Sequence, residues 1–268
     1  MKTNYHTHHY LCGHAEGNVE DYVLEAIKHG FSEIGISDHG PINALAFPRM
    51  TYEEFENIYL IELEDAITKY KNQIKIYKAL EIEYIENDIC HYKKLLEKLD
   101  YLILACHYYE NKKVLHDYSV YNVNNHERLK RYTEVIEEAL DTKLFKILAH
   151  PDLFMTGYNE LDSFGEECVM RIANAAIRND VMLEFNAGGI RSNRRFDEEG
   201  NPKYIYPNDS FWKVISKTNA KVIVSSDCHL PSDLYADATK TAEELAKKYE
   251  LNIQEKRPCN KSWGQLTK

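Results

Sequence analysis

The sequence lacks the long apolar segment that a membrane-spanning helix requires. None of its 268 residues belongs to a run of about eighteen consecutive apolar residues. The first nine residues, MKTNYHTHH, also lack the apolar stretch of a secretory signal peptide. Low-complexity tracts and obvious internal repeats are absent as well. We therefore expect a cytoplasmic globular protein that has no membrane partner.

The six cysteines follow no pattern of disulfide pairing or of a zinc finger. Their spacing is irregular and no CxxC occurs, which favours reduced thiols in a cytosolic protein. Cys12, Cys106 and Cys228 each lie one or two residues from a histidine. Two interpretations stay open for these three: zinc-binding thiolates, or small buried residues behind a site. We favour the second, because free cysteine is usually buried.

The chain has no excess of positive charge. Its 43 acidic residues outnumber its 33 basic residues, and the net charge is −10. This balance argues against a nucleic-acid partner, because a nucleic-acid surface needs a basic face. A small anionic substrate is still compatible with it, because a bound metal or a few arginines supply positive charge locally.

Short apolar runs alternate with helical patterns along the chain. Six of the runs are rich in Ile, Val, Leu and Tyr, which is typical of buried strands, and the first, KTNYH, has a weaker pattern. They cover residues 2–6, 33–37, 74–84, 101–106, 145–149, 181–186 and 221–226. Helical patterns cover residues 18–30, 51–72, 127–142, 163–180, 208–219 and 237–250. This alternation predicts parallel strands joined by crossover helices. We expect an α/β fold that closes, or nearly closes, into a barrel; an open doubly wound sheet is the alternative.

Histidines and carboxylates gather where the predicted strands end. In parallel β/α folds, functional residues lie at the carboxyl ends of the strands. His6 and His8 follow the first strand, and their spacing of two places both side chains on one side of an extended chain. Six of the seven predicted strands carry such residues at or near their ends. The candidates are His6, His8, His14, Asp38, His39, Glu81, Glu83, His107, His150, Asp227 and His229.

Imidazole and carboxylate are ligands of zinc, iron and manganese. The candidates are too many for a single tetrahedral ion, which takes four ligands. Two or three divalent ions that share a bridging carboxylate would use them all. The sequence does not choose among the three metals, because nitrogen and oxygen donors suit each of them.

In this order, the motifs resemble those of the polymerase and histidinol phosphatase (PHP) superfamily. The matching segments are HTH at 6–8, His14, SDH at 37–39, LEIEY at 80–84, His107, HPD at 150–152 and SSDCH at 225–229. The resemblance implies a single PHP domain over residues 1–268, folded as a distorted (β/α)7 barrel. It also implies a cluster of up to three metals at the C-terminal ends of the strands. The opening segment is most similar to free-standing histidinol-phosphate phosphatases. It therefore implies an enzyme of histidine biosynthesis that hydrolyses L-histidinol phosphate.

The resemblance further implies which residues hold each ion. The first ion is bound by His6, His8, Glu81 and Asp227. The second is bound by Glu81, His107 and His150, with Glu81 as the bridge. The third is bound by His14, His39 and His229. Asp227 and His229 are also candidates for relaying a proton in catalysis.

Three residues are candidates for binding the substrate. Arg191 follows the sixth strand in a predicted loop, and its planar guanidinium matches a phosphate group. For the nearby Arg194 and Arg195, an ordinary solvated loop is an equally good interpretation. Asp117 and Glu110, in the loop after the fourth strand, are candidates for contacting the amine and imidazole of the substrate.

Several alternatives stay open from the sequence. Glu83 has the same strand parity as Glu81, so it could replace Glu81 as the bridge; the family pattern favours Glu81. The substrate could be another small phosphate ester or a nucleotide. A nuclease is disfavoured by the acidic charge. A metal-binding domain without activity is disfavoured because every ligand position is filled. The oligomeric state is not predicted.

Overall fold

The computed structural model describes residues 3–42, 49–86, 88–109, 118–192, 194–196, 199–200 and 202–256. Within them, the main sheet has eight strands, and every neighbouring pair in it is parallel. In sheet order these are β1 (Thr3–Asn4), β2 (Glu33–Ile36), β3 (Lys75–Glu83), β4 (Tyr101–Ala105), β5 (Ile147–Leu148), β6 (Met182–Asn186), β9 (Lys221–Ser225) and β10 (Asn252–Ile253). Strands β7 (Arg194–Phe196) and β8 (Pro202–Tyr204) form a separate antiparallel pair.

The sheet closes at its C-terminal edge. Beyond the ends of β1 and β9, Thr7 and Cys228 form a parallel bridge. The His8 amide donates to the Cys228 carbonyl at 3.0 Å, and the Asp227 amide donates to the His6 carbonyl at 3.1 Å. This closure confirms the distorted (β/α)7 barrel, because the seven strands predicted from the sequence form its wall. Strand β10 was not predicted; it pairs with the beginning of β9 at the opposite end of the barrel.

Helices cover the outside of the sheet. The bounds are α1 (Val19–Lys28), α2 (Tyr52–Glu54), α3 (Leu60–Tyr70), α4 (Ile89–Leu96), α5 (His126–Asp141), α6 (Ser163–Asn179), α7 (Ala187–Ser192), α8 (Asp209–Ile215) and α9 (Asp237–Lys248). A π-helical turn, Phe55–Tyr59, joins α2 to α3. Thr51 and Glu54 form a capping box at the start of α2. In the described part of the chain, no helix combines the length and apolar character needed to cross a membrane.

Two helices were not predicted, α4 and α7, and the second replaces a predicted loop. The segment that begins with Ala187 is helix α7 rather than a loop. Its two glycines conceal the helix, because glycine is a poor helix former. They are required by packing: a Cβ on Gly189 would lie 2.0 Å from the carbonyl oxygen of Tyr206. Tertiary contact therefore selects glycine here against its helix propensity.

Candidate metal centre

The C-terminal edge of the barrel brings together the predicted metal ligands. His6 and His8 follow β1, and His39 follows β2, where it forms a bridge with Glu81 of β3. The other predicted ligands follow β4, β5 and β9, or lie in the loop before α1. We call these nine residues the histidine–carboxylate cluster: His6, His8, His14, His39, Glu81, His107, His150, Asp227 and His229.

Three groups of donor atoms form within this cluster. In each group, the ligand atoms lie within 4.8 Å of one another. The groups are His6, His8 and Glu81; Glu81, His107 and His150; and His14, His39 and His229. They coincide with the three ligand sets that the family resemblance implies, apart from Asp227. That carboxylate lies beside the first group, with its Oδ1 3.1 Å from His8 Nε2 and 3.6 Å from His6 Nε2.

A fourth group includes a cysteine. The donor atoms of His8, Cys12 and His229 also lie within 4.8 Å of one another. Burial raises the pKa of the Cys12 thiol to about 12, with a further contribution from Asp38. The buried Cys12 therefore fits the interpretation of a small residue behind the site, and the thiol lies within reach of the ligands. The cysteines in the described part of the chain are all free.

Glu81 lies at the centre of the cluster. Its Oε1 is 3.0 Å from His150 Nε2, and its Oε2 is 2.9 Å from His39 Nδ1. The same Oε2 is 3.5 Å from the Nε2 atom of His6. Glu83, the other candidate bridge, supports a single ligand instead. Its Oε1 lies 2.6 Å from His107 Nδ1, and its Oε2 accepts the His107 amide at 3.0 Å. The geometry therefore favours Glu81 as the bridge.

A second layer of carboxylates orients the ligand rings. Glu184 Oε1 lies 2.7 Å from His6 Nδ1, and the His150 amide donates to Glu184 Oε2 at 3.0 Å. Asp38 Oδ1 lies 3.3 Å from His8 Nδ1. A carboxylate on the outer nitrogen fixes the tautomer of a metal-binding histidine and raises its basicity. The sequence analysis missed Glu184, although a carboxylate inside the buried run VMLEFN is an available signal.

His9 belongs to this second layer. Its ring is fully buried, and its Nδ1 contacts Asp38 Oδ2. The ring also packs edge-on against Tyr59, with the centroids 4.9 Å apart. Because neighbouring residues of an extended chain point to opposite faces, His9 lies on the face opposite His8 and contacts the cluster from behind through Asp38.

Burial and mutual charge shape the electrostatics of the cluster. Burial raises the pKa of Glu81, but His6 and His39 outweigh it and hold the pKa well below its usual range. Burial alone would lower the pKa of His8, yet Asp227 and Asp38 raise it to about 9. Burial lowers the pKa of His39 to about 3 and that of His229 to about 4. The cluster thus combines ionised carboxylates with imidazoles of two kinds, some protonated at neutral pH and some neutral.

The backbone is strained at two of the predicted metal ligands. His150 has φ +29° and Asp227 has φ +46°, in a region that side chains other than glycine rarely adopt. Strain of this kind persists only where the surrounding structure imposes it, and it concentrates at functional sites. Both residues closely follow a strand, so the turn aims their side chains back over the barrel mouth.

The predicted phosphate clamp, Arg191, is held by the protein itself. Its Nη2 donates to the Ser226 carbonyl at 3.0 Å and its Nη1 to the Asp227 carbonyl at 3.3 Å. Its Nε lies 3.2 Å from Asp233 Oδ2. The two terminal nitrogens therefore attach Arg191 to the Asp227 turn, while its buried Nε makes no hydrogen bond among the described residues. This geometry favours a positioning role, and the phosphate clamp stays a prediction.

The other predicted substrate contacts give less information. Asp117 and Glu110 lie outside the described residues, as do the side chains of Arg194 and Arg195. Tyr121, which the sequence analysis did not single out, lies in a 3-10 turn tied to the cluster: the Val120 amide donates to the His107 carbonyl at 2.7 Å. Burial and the charges of Asp227 and Glu81 raise the pKa of Tyr121.

Comparison with known proteins identifies the family of this chain. Residues 4–188 match the family model of the PHP domain. The chain belongs to the PHP domain family. Asp227 and His229 lie beyond the matched segment, after the strand that closes the barrel.

Relatives of this PHP protein cover most of its length. It is 23% identical over 252 residues to a probable histidinol-phosphatase of Deinococcus radiodurans, covering 90% of this chain and 92% of the relative. It is 24% identical over 255 residues to a probable histidinol-phosphatase of Schizosaccharomyces pombe, covering 86% and 81%. A histidinol phosphate phosphatase of Lactococcus lactis, solved with zinc, L-histidinol and phosphate, aligns with a TM-score of 0.71 at 18% identity, covering 94% of this chain and 95% of the other. The fold is therefore shared along nearly the whole chain.

The residues of the cluster fit divalent metal ions. His6 Nε2 and His8 Nε2 face each other at 3.0 Å, and carboxylate oxygens of Glu81 and Asp227 approach the same two nitrogens. Buried nitrogen and oxygen donors that converge in this way could hold a metal ion between them. The outer nitrogens of the two rings are fixed by Glu184 and Asp38, as expected for metal-binding histidines.

Proposed function

We propose that this PHP protein is a metal-dependent phosphomonoesterase that hydrolyses L-histidinol phosphate to L-histidinol and phosphate. One observation carries the proposal: three donor groups around one shared carboxylate, Glu81, form at the mouth of the barrel. The names of the two curated relatives and the ligands bound in the Lactococcus lactis structure supply the substrate. The proposal treats residues 1–268 as a single PHP domain.

The proposed cofactor is a set of two or three divalent ions, namely zinc, iron or manganese. The three donor groups would hold them, with Asp227 added to the first group. When bound, such ions acidify a water molecule that attacks phosphorus, and they neutralise the phosphoryl oxygens. An enzyme must supply both functions, because phosphate monoesters hydrolyse extremely slowly without catalysis.

The protein's own residues position and supply protons in this proposal. Glu81 holds two donor groups at a fixed separation, and Glu184, Asp38 and Glu83 lock the rings. Asp227 and His229 are the proposed proton relays: the ionised carboxylate or the neutral ring takes up the proton released by the attacking water and passes it to the leaving alkoxide. They suit the role by position, because their side chains are 14% and 30% exposed at the mouth of the site. The His229 Nδ1 atom lies 3.3 Å from the Asp227 carbonyl, which orients the ring.

The acidic chain and the buried cysteines support the cellular part of the proposal. A net charge of −10 disfavours a nucleic-acid substrate and leaves a small phosphate ester. Free cysteines in the described part of the chain are typical of a reducing compartment. We therefore propose a cytoplasmic enzyme of histidine biosynthesis.

The test is release of inorganic phosphate by metal-loaded protein from L-histidinol phosphate, beside a panel of nucleotide and sugar phosphates. We expect fast release that is selective for L-histidinol phosphate. Equal and slow release across the panel would move the function to another phosphate ester. No release from any substrate would contradict the phosphatase.

A further inference from the structure

Arg49 lies where two of the donor groups meet. Its Nη1 is 3.3 Å from His39 Nδ1, and its Nη2 donates to Glu83 Oε1 at 3.4 Å. His39 belongs to the third donor group, and Glu83 holds His107 of the second group at 2.6 Å. The rings of His39 and His107 are steeply inclined to each other, with centroids 6.1 Å apart. The guanidinium therefore borders both groups.

The guanidinium of Arg49 is buried and its hydrogen bonds are incomplete. The side chain is only 10% exposed. A guanidinium carries five N–H donors, and charge-assisted hydrogen bonds are usually about 2.7–2.9 Å long. Both contacts of Arg49 are longer than this, and its buried Nε has no hydrogen-bond partner among the described residues. Because a buried charge with unmade hydrogen bonds is costly, the position calls for an anionic acceptor.

Arg191 provides the contrast within the same site. Its two terminal nitrogens both donate to backbone carbonyls beyond the end of β9, and its Nε faces Asp233. Arg191 and Arg49 each have a buried Nε without a hydrogen-bond partner among the described residues. They differ at the terminal nitrogens: those of Arg191 donate to backbone carbonyls at 3.0 and 3.3 Å, whereas those of Arg49 have only side-chain contacts of 3.3 and 3.4 Å. The planar guanidinium of Arg49 borders two donor groups, and its shape matches the oxygens of a phosphate held between them.

We propose that Arg49 binds the phosphoryl group of the substrate and the phosphate that hydrolysis releases. The inference rests on the proposed phosphatase function, and it assigns the phosphate clamp to a residue before α2 rather than to Arg191. The expected acceptor is an oxyanion that presents two oxygens to the planar guanidinium. The contact to Glu83 keeps the guanidinium in place before the anion arrives.

The test measures phosphate binding separately from turnover. Zinc-loaded wild type, Arg49→Met and Arg49→Lys would be titrated with inorganic phosphate in a calorimeter, and the zinc content of each protein would be determined. We expect Arg49→Met to bind phosphate roughly 10- to 100-fold more weakly, since hydrogen bonds between charged groups are lost. Arg49→Lys, which keeps the charge but loses the fork, should fall between the two. Arg178→Met is the matched control, because Arg178 pairs with Asp141 on outer helices.

Each outcome decides the assignment. Unchanged phosphate affinity in Arg49→Met at full zinc content would overturn it. Loss of zinc from both variants would also overturn it, in favour of a purely structural contact to His39. If Arg49→Met does not fold, Arg49→Lys decides by the same criterion. Wild-type protein that binds phosphate through Arg49 but does not hydrolyse L-histidinol phosphate would reject the substrate and keep the clamp. Wild-type protein that binds no phosphate would reject the clamp.

Discussion

The two ends of the barrel both bury polar side chains, but they satisfy them in opposite ways. At the N-terminal end, Tyr5 donates to Glu33 at 2.6 Å and Tyr77 donates to the same carboxylate at 3.2 Å. Tyr101 donates to the Tyr5 carbonyl at 2.6 Å, and Lys256 lies 3.3 Å from Glu33. Each of these donors at the N-terminal end therefore has an acceptor within the protein. At the C-terminal end, ring nitrogens face each other, and carboxylates cluster around them.

This difference indicates that the N-terminal end of the barrel contributes to stability and the C-terminal end to function. A buried polar network stabilises a fold only when its members are satisfied by each other. The N-terminal end meets that condition within the protein. The C-terminal end also pairs its rings with carboxylates, but it sets the Nε2 atoms of His6 and His8 3.0 Å apart among several carboxylate oxygens, an arrangement that suits a bound cation. The strained backbone at His150 and Asp227 belongs to the same end. In parallel β/α barrels, function is expected at this face and stability at the other.

The largest effect should come from Glu81→Gln, which removes the charge shared by two donor groups. We expect kcat/KM to fall by about 1,000-fold or more, because several kcal/mol of metal-dependent stabilisation is lost. The zinc content should fall as well, as measured by elemental analysis. Glu64→Gln is the control, since Glu64 is 68% exposed and pairs only loosely with Lys78. Wild-type activity in Glu81→Gln would remove the basis for a bridging carboxylate.

A smaller effect is expected from Glu184→Gln, which keeps the shape of the side chain and removes its charge. The outer nitrogen of His6 then loses its carboxylate partner. We expect metal affinity to fall by about 10- to 100-fold, the usual cost of losing such a partner. Competition with a zinc chelator measures the change. Unchanged affinity would mean that the second layer does not tune the ligands.

The other end of the barrel should respond in stability alone. Tyr5→Phe removes a buried hydrogen bond to Glu33 and should lower the free energy of unfolding by about 1.5–3 kcal/mol, the value for bonds to charged groups. Urea denaturation measures this, and kcat of the metal-loaded protein should not change. Tyr52→Phe, at an exposed position, should change stability by less than about 0.5 kcal/mol. A fall in kcat for Tyr5→Phe would contradict the prediction that the N-terminal end of the barrel affects stability alone.

The smallest expected effect is the release of protons when zinc binds. The pKa of His8 is raised to about 9 before metal binds, so this ring stabilises the metal-free fold, and the contribution is complete below its ordinary value of 6.5. That contribution is lost as pH rises through about 9. An ion competes with the same proton, so zinc binding at about pH 7 should release protons and become tighter as the pH rises. Calorimetry in two buffers of different ionisation enthalpy counts the protons; no release would contradict the raised pKa.

Much of this structure could be predicted from the sequence, because its signals are local. Six of the seven strands of the barrel wall appear as short apolar runs, and helices α1, α5 and α6 match their predicted ranges within two residues at each end. The elements that were missed have weak local signals. Helix α7 contains two glycines, one of them selected by the contact with Tyr206, and β10 has only two residues.

The sequence by itself determined the barrel and the positions of the metal-ligand candidates, because side-chain periodicity and strand ends are properties of neighbouring residues. Tertiary structure alone decided how these side chains pair. Glu81 rather than Glu83 lies at the centre, Glu184 supports His6 from 178 positions away in the chain, and Arg49 rather than Arg191 borders two donor groups. Such pairings depend on distances across the closed sheet. Chain spacing does not encode those distances, because closure of the barrel places the end of β1 beside the end of β9, which is far away in the chain.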